Sequence, residues 1–487
     1  MLNKENKNIF KSFFHVGVGT ILGLVISVLT TPIITRLVDP EEYGKLSIFN
    51  LYISIAVMTL CLGLDQSLLR YYYKKDDIQY KRELFTKCFF VPFIILLLVC
   101  LIFYFINLSF GSFFEFSGII FVFLIGVVFE FAFRFSTLLL RLENKSLLYS
   151  LTGIINRIIY VGVAILLLKL LDVSSFDYLA YSLVLGLIGS SVFAILINKK
   201  IWKPLIKTKE CEINFKELMR YGLPFILVSG LETLFSSIDK LSLKILCDYS
   251  TVGIYASALS IAHLFAIVQS SFNTVWAPVS IKHYEENPED NAFYTKYNQA
   301  ITLIMFAFGL TLIASKDLLV LMLGEKYRSA VFILPFLCFH PIMYTISETT
   351  FVGIVISKKS YLQLITVAVS CLVNICGNIL LVPHLGGKGA AISTGFSYIV
   401  FYTLRTIFGK KNYYFDNHPL KFVAATILLI VFSAISTFLS FQWWMILIYL
   451  FMIGILIVLY WETFKKMLYL VYGLASKLFK KKGENVS

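Results

Sequence analysis

Charged side chains interrupt several long apolar stretches of this sequence, and their types and spacing favour the binding of ions. Glu130 and Arg134 are four residues apart in one stretch, an order and spacing that favour an ion pair on one helix face. Glu232 and Asp239 are seven residues apart in another stretch and would also share a face. Arg157 has no carboxylate nearby in the sequence, which favours a place in a polar cavity. Because a charge in lipid is costly, each is a functional candidate.

The same charges also have structural interpretations, which remain open at this point. Glu130 and Arg134 are equally well explained as an ion pair that fixes helix packing. Asp65 lies near the end of its apolar stretch and close to Arg70, which favours a structural pair over a functional role. Whichever interpretation holds, the apolar stretches that carry these residues must be identified first.

Composition places the chain in a membrane. Of its 487 residues, 58% are apolar and 15% are charged, whereas soluble domains carry about 25% charged residues. This excludes a soluble enzyme, a nucleic-acid binder, a disordered protein and a disulfide scaffold, and continuous apolar stretches exclude an outer-membrane barrel. The net charge of +14 therefore favours contact with anionic lipid headgroups. Eight cysteines without a CxxC pair predict no disulfide, metal site or cofactor.

Polar breaks divide the chain into fourteen predicted transmembrane helices, and twelve is the alternative if two are misassigned. The spans are 12–35, 46–69, 84–107, 116–140, 147–170, 178–198, 217–240, 250–276, 297–315, 329–356, 361–382, 388–408, 420–439 and 443–461. Pro335, His340 and Pro341 predict that the tenth span is bent or broken. Asn374 and Asn378, one turn apart, predict interhelical hydrogen bonds.

The distribution of Lys and Arg predicts that both termini are cytoplasmic. With the N-terminus inside, cytoplasmic segments hold 32 of the 43 Lys and Arg residues and external loops hold 9. The external loops are all short, which argues against a membrane enzyme that holds its acceptor outside. The stretch 463–482 is predicted to form a basic amphipathic helix on the inner membrane surface.

Weak internal similarity predicts two copies of a six-helix unit. The segment 35–44 resembles 243–253 with an offset of 209 at the glycine, and 145–149 resembles 359–363 with an offset of 214. The predicted fold is all-α, with two parallel six-helix bundles around a central cavity and two additional helices. The bundles are 1–200 and 214–411, and 412–487 holds the additional helices and the basic tail.

Several segments together resemble the bacterial polysaccharide flippases, the Wzx-type repeat-unit exporters of the multidrug/oligosaccharidyl-lipid/polysaccharide (MOP) superfamily. The resemblance lies in residues 36–44 after the first span, 238–240, 252–258, 276–278, and 374–391. Each motif alone is only loosely similar, but the order and spacing of the motifs are specific. Together the motifs cover most of the chain. Lys240 departs from the Asp-Arg that the family often has, keeping the charge but losing the planar guanidinium.

The resemblance implies a non-enzymatic flippase for undecaprenyl-diphosphate-linked oligosaccharides in the bacterial inner membrane, with membrane lipids and polysaccharide polymerase machinery as partners. The candidates for contact with the diphosphate or acidic sugars are cationic: Arg36, Arg134, Arg157, Lys240 and Lys244. The candidates for proton or sodium coupling are acidic: Asp239, Glu232, Glu130 and Asp65.

Three other functions are alternatives to a flippase. A cation-coupled multidrug exporter of the same superfamily would favour acidic cavity groups, whereas the candidate charges here lean positive. A membrane-embedded glycan polymerase would need a catalytic constellation and a large external loop. A purely structural partner of a glycan synthase remains open.

Overall fold

The protein is α-helical throughout the part that the structure describes. The computed structural model describes residues 30–111, 114–171, 175–204, 214–469 and 472, and within these ranges it contains no β-strand. Nine helices there are long and apolar enough to cross a membrane, or up to eleven if each of two bent pairs is one span. The all-α polytopic fold is therefore confirmed. The first predicted span lies mostly outside the described residues, and the count of fourteen stays a prediction.

The described helices divide into two compact units, which are treated separately. Unit 1 comprises the chain up to Ser260 together with Leu323–Tyr327, and unit 2 comprises Ile261–Met322 and the chain from Arg328. After a helix that ends at Thr35, the helices beginning in unit 1 are α1 (Pro40–Leu60), α2 (Leu64–Tyr71), α3 (Ile78–Phe110), α4 (Ile120–Leu142), α5 (Ser146–Leu171), α6 (Phe176–Ile197), α7 (Lys199–Trp202), α8 (Phe215–Leu246) and α9 (Tyr249–Ala262).

Unit 2 continues the chain with a further set of helices. They are α10 (Leu264–Glu286), α11 (Asn291–Ala314), α12 (Lys316–Val320), α13 (Leu334–Leu337), α14 (Phe339–Ile356), α15 (Tyr361–Leu385), α16 (Gly387–Asn412), α17 (Pro419–Phe438), α18 (Trp444–Leu459) and α19 (Trp461–Tyr469). Short 3-10 turns occupy Ser117–Ile119 and Glu325–Phe332.

The second predicted span is wrong in one respect, because it is two helices. Leu62 and Gly63 both have positive φ, of 52° and 66°, and they separate α1 from α2. A Cβ atom on Gly63 would lie 2.0 Å from the carbonyl oxygen of Gly222, so only glycine allows α8 to cross here. The break places Asp65 in the first turn of α2.

Two other predicted spans also contain breaks. The predicted span 250–276 divides at His263 into α9 and α10, which its sequence did not indicate. The predicted bend in the tenth span is confirmed, since Glu325–Phe332 and Leu334–Ile356 meet at 60°. Pro335 lies in the first turn of α13, where its missing N–H costs nothing.

The described part of the basic C-terminal stretch changes direction as a surface helix would. Trp461–Tyr469 turns by 87° from Trp444–Leu459. Of the rest of the predicted helix, only Tyr472 belongs to the described residues.

Gly44 and Gly253 form a reciprocal close contact in unit 1. A Cβ atom on Gly44 would lie 1.8 Å from the carbonyl oxygen of Tyr249, and one on Gly253 would lie 1.9 Å from that of Pro40. Pro40 and Tyr249, like Gly44 and Gly253, are 209 residues apart in the sequence. Such reciprocity is what a two-fold relation between repeats produces. The predicted repeat boundaries stay a prediction.

Asn374 in α15 makes interhelical contacts of the kind that the sequence predicted for the asparagine pair. Asn374 and Asn378 are both fully buried. Ser393 on α16 donates to the Asn374 carbonyl oxygen at 2.8 Å and to its Oδ1 at 3.2 Å. These bonds join α15 to α16 inside unit 2.

Candidate functional site

A polar cavity of about 350 Å³ lies in unit 1 between α1, α4 and α8. Its lining is predominantly polar: Ser54, Val57, Met58, Glu130, Arg134, Ser229, Glu232, Thr233 and Ser236. The cavity thus brings together three of the nine candidate residues chosen from the sequence, and all three are charged.

Helical spacing explains how each wall presents its residues. Glu130 and Arg134 are one turn apart on α4, and Glu232 lies on the same face of α8 as Ser229 and Ser236. Polar residues along this face of a long apolar helix require a polar surrounding. The cavity supplies that surrounding within helices long enough to cross a membrane.

The ion-pair partner of Arg134 is Asp65. The sequence spacing had favoured Glu130 instead. Arg134 donates from Nη2 and Nε to the same Asp65 oxygen, Oδ2, at 2.6 and 3.1 Å. The break between α1 and α2 brings Asp65 to α4, so the expected pairing of Asp65 with Arg70 is not observed. The side chain of Asp65 is 7% exposed and that of Arg134 is 39% exposed, so the guanidinium remains accessible.

Glu130 lies within electrostatic range of two guanidinium groups. Arg134 and Arg157 both act on its carboxylate. Arg157 on α5 also interacts electrostatically with Tyr43 and Tyr160, and within the described ranges it makes no hydrogen bond or ion pair. The cavity wall itself carries two carboxylates and one guanidinium. The candidate charges that meet here therefore do not lean positive, contrary to the sequence-based expectation.

The other candidate residues lie outside the cavity lining. Arg36 is exposed in the connection before α1. Asp239 is buried and accepts a hydrogen bond from the Tyr255 hydroxyl at 2.7 Å, and its neighbour Lys240 interacts with it electrostatically. Of the predicted diphosphate contacts, Arg134 lines this cavity, whereas Arg36, Arg157, Lys240 and Lys244 are not part of its lining.

Lys244 lies two turns beyond Ser236 on α8 and takes part in a separate cluster. Its Nζ pairs with Glu115 and donates to the Tyr52 hydroxyl at 2.7 Å. The Tyr52 ring centroid lies 5.2 Å from the same Nζ, which adds a cation–π contact. These contacts join α8 to α1 and to the segment before α4.

We expect the Lys244–Glu115 pair to contribute little stability. The two side chains are 23% and 29% exposed, so solvent screens their attraction. A double-mutant cycle with Lys244→Ala and Glu115→Ala, measured by unfolding in detergent, should give a coupling of about 0.2–1 kcal/mol. A coupling above about 2 kcal/mol would contradict this and indicate a desolvated pair.

A second buried ion pair, in unit 2, was missed from the sequence. Arg405 on α16 is 2% exposed and donates from Nη1 to Glu348 Oε1 and to Ser347 Oγ, each at 2.8 Å. Its guanidinium carbon also lies 3.9 Å from the Phe351 ring centroid. Arg405 lies three residues before the end of the predicted span 388–408, whereas α16 continues to Asn412 and places it about two turns inside the helix. Its partner Glu348 is 57 residues earlier, so helical spacing gives no sign of the pair.

The described residues hold no group of three or more His, Cys, Asp or Glu side chains arranged to bind a metal ion. The cavity is therefore interpreted through its ionic and hydroxyl groups alone.

Comparisons with known proteins agree with this architecture. A family model described as polysaccharide biosynthesis protein matches residues 9–283. No curated protein matches the chain. The lipid II flippase MurJ in an inward closed conformation is similar, with 15% identity and a TM-score of 0.68 over 94% of this chain and 99% of that one.

Two structures of a multidrug resistance MATE family transporter of the MOP superfamily are also similar. The inward-facing structure has 17% identity and a TM-score of 0.54 over 83% of this chain and 96% of that one. The outward-facing structure has 16% identity and a TM-score of 0.54 over 85% and 96%. These proteins are a flippase and transporters, which agrees with the prediction that the chain is not an enzyme.

At such identities the solved structures establish the fold alone, whereas the family model covers more than half of the chain. The chain therefore belongs to the polysaccharide biosynthesis protein family, and it has the fold of the MOP superfamily transporters.

Proposed function

We propose that the protein is a flippase that moves undecaprenyl-diphosphate-linked oligosaccharide repeat units from the inner to the outer leaflet of the bacterial cytoplasmic membrane. It would work by alternating access and supply the assembly of O-antigen, capsule or exopolysaccharide. The proposal includes cytoplasmic termini and a functional link to the polysaccharide polymerase machinery. The observation that carries it is the accessible guanidinium of Arg134 in a polar cavity of a polysaccharide biosynthesis protein.

Arg134 is held in place and still has donors for a ligand. Asp65 binds its Nε and Nη2, and within the described part of the chain Nη1 donates to no protein group. A guanidinium fixed on one side by a carboxylate is preorganised for an anion on the other side. A phosphate oxygen is an acceptor of matching geometry.

The chemistry of a lipid-linked sugar explains why such a cavity is needed. A diphosphate and an oligosaccharide cannot cross hydrocarbon without replacing their contacts with water. The hydroxyls of Ser54, Ser229 and Ser236 offer hydrogen bonds to sugars, and Arg134 offers charge to the diphosphate. The polyprenyl chain needs no polar contact and stays in the bilayer.

A cation-coupled multidrug exporter is the second candidate, and one observation favours it. Glu130 and Glu232 both line the cavity, and carboxylates suit cationic drugs. In a flippase the same two carboxylates are the candidates for binding a coupling proton or sodium ion. The two functions therefore differ in the role of Arg134, which a cationic drug would not contact.

A clean deletion in the native host tests the proposal. Surface polysaccharide and the lipid-linked repeat unit would be quantified, together with the leaflet that holds the repeat unit. We expect loss of surface polymer and single repeat units trapped in the inner leaflet. Repeat units that reach the outer leaflet but remain unpolymerised would contradict flipping and favour an assembly role. Unchanged polysaccharide would contradict it in favour of drug export.

A further inference from the structure

A buried lysine in unit 2 has no hydrogen-bonding partner in the part of the chain that the structure describes. Lys316, in the first turn of α12, is 1% exposed. Its Nζ forms an ion pair with Asp317 Oδ2 at 3.7 Å, which is too long for a hydrogen bond, and neither atom has a hydrogen-bonding partner among the described residues. No hydrogen bond offsets the free energy of desolvating this buried ammonium group, so its N–H donors are available to a ligand.

A second lysine shares an aromatic neighbour with the first and interacts with it electrostatically. The Nζ atoms of Lys316 and Lys388 are 5.2 and 4.4 Å from the centroid of the same Phe332 ring. Burial lowers the pKa of Lys316, and Asp317 opposes this effect whereas Lys388 adds to it. With Asp317 included, the three groups have a net charge of +1 when both lysines are protonated. A monoanion would balance that charge.

A narrow cleft reaches Lys316 from the protein surface. It is lined by Lys316, Asp317 and Ser436 together with apolar side chains of α11, α17 and α18. Its free volume is about 10 Å³, room for a single water-sized atom. One oxygen of a larger anion fits there while the rest of the ligand stays outside.

The surroundings of the cleft are those of a membrane interface. Trp443 is the N-cap of α18 and Trp444 is its first residue, and their exposed fractions are 79% and 41%. Leu318 on α12 and Leu447 on α18 are each 68% exposed. Exposed tryptophans beside exposed leucines are typical of the depth at which lipid headgroups lie. In the proposed orientation this is the outer leaflet, where lysines are otherwise few.

We propose that Lys316 and Lys388 bind the phosphate of an anionic phospholipid headgroup at this cleft. One phosphate oxygen enters the cleft and accepts from Lys316 Nζ and Ser436 Oγ, while Lys388 contacts the phosphate from outside. Asp317 keeps its ionic contact with Lys316. The Asp317 carboxylate lowers the net charge of the site to +1, which disfavours a dianion such as the dianionic form of free phosphate. The acyl chains remain in the bilayer beside α18. This site is separate from the cavity in unit 1 and goes beyond the proposed function.

Binding of phosphatidylglycerol to the purified full-length protein in detergent tests the proposal, with retained lipid counted by native mass spectrometry. We expect the Lys316→Gln/Lys388→Gln variant to bind it about tenfold more weakly than the wild type, because each lysine near an anionic headgroup contributes to affinity. Lys326→Gln is the matched control. Lys326 lies between α12 and α13, its side chain is 67% exposed, and it pairs with Asp39 and not with Lys316, Lys388 or Asp317. This variant should bind as the wild type does.

Three outcomes would overturn the proposal. The first is that the double variant binds phosphatidylglycerol as well as the wild type does. The second is that the wild type retains phosphatidylcholine as well as it retains phosphatidylglycerol. The third is displacement of the lipid by millimolar inorganic phosphate, which would make free phosphate the ligand. If the double variant does not fold, Lys388→Gln alone decides, because Lys388 is only partly buried. It should weaken phosphatidylglycerol binding by at least about threefold.

Discussion

Replacement of Arg134 by alanine is expected to reduce export of the lipid-linked repeat unit between about tenfold and a hundredfold. If Arg134 contacts the diphosphate as proposed, the variant loses charge-assisted hydrogen bonds that each contribute about 1.5–3 kcal/mol. The measurement is the rate at which repeat units appear in the outer leaflet of cells in which the variant replaces the wild type at equal abundance. Export at the wild-type rate would remove Arg134 from the transport mechanism.

The buried partner of Arg134 complicates this experiment and also provides its control. Alanine at position 134 leaves Asp65 buried and without its cation, and because Arg134 itself is 39% exposed the loss of stability should be smaller than the roughly 3–5 kcal/mol of a fully buried pair. Arg134→Gln combined with Asp65→Asn removes both charges and restores a neutral hydrogen-bonded pair. We expect this double variant to be stable and still defective in export. Recovery of export in it would show that Arg134 serves only to neutralise Asp65.

Arg141 supplies a matched arginine on the same helix. It lies in the last turn of α4, is exposed, and contacts the Tyr149 ring at 5.9 Å. Arg141→Ala should leave export unchanged, because this side chain is not part of the cavity lining. A similar loss in both variants would indicate a general effect of positive charge on α4.

The sequence predicted the helices well wherever the apolar stretches are uninterrupted. Ile120–Leu142 and Pro419–Phe438 begin and end within a few residues of the predicted spans 116–140 and 420–439. Breaks without proline were missed, because they depend on contacts distant in sequence. At the break, Gly63 is in close contact with Gly222, about 160 residues later, and hydropathy contains no trace of that contact.

The candidate site was predicted in part, and its errors share one cause. Charged residues inside apolar spans identified Glu130, Arg134 and Glu232, and all three line the cavity. The partner of Arg134 was assigned by helical spacing, whereas the observed partner lies 69 residues earlier. Sequence spacing detects pairs within one helix, but packing between helices decides which charges meet.

Removal of the Arg405 side chain is expected to have the largest effect on stability. Arg405→Met would leave Glu348 without its cation in a site where that side chain is 13% exposed. An uncompensated buried charge costs about 3–5 kcal/mol, so the thermal unfolding midpoint in detergent should fall by several degrees. Added salt should not reproduce the loss, since a buried pair is weakly screened.

A paired replacement separates the role of the charges from the role of packing. Arg405→Met combined with Glu348→Leu removes both charges and keeps most of the volume, and it should recover most of the lost stability because no buried charge remains. Lys411→Met on the same helix is the matched control, since that side chain is exposed and should tolerate the change. If Arg405→Met unfolded at the wild-type temperature, the pair would not be what holds α14 against α16. If the double replacement stayed as unstable as Arg405→Met, the contacts of the guanidinium with Phe351 and Ser347 would be the stabilising element.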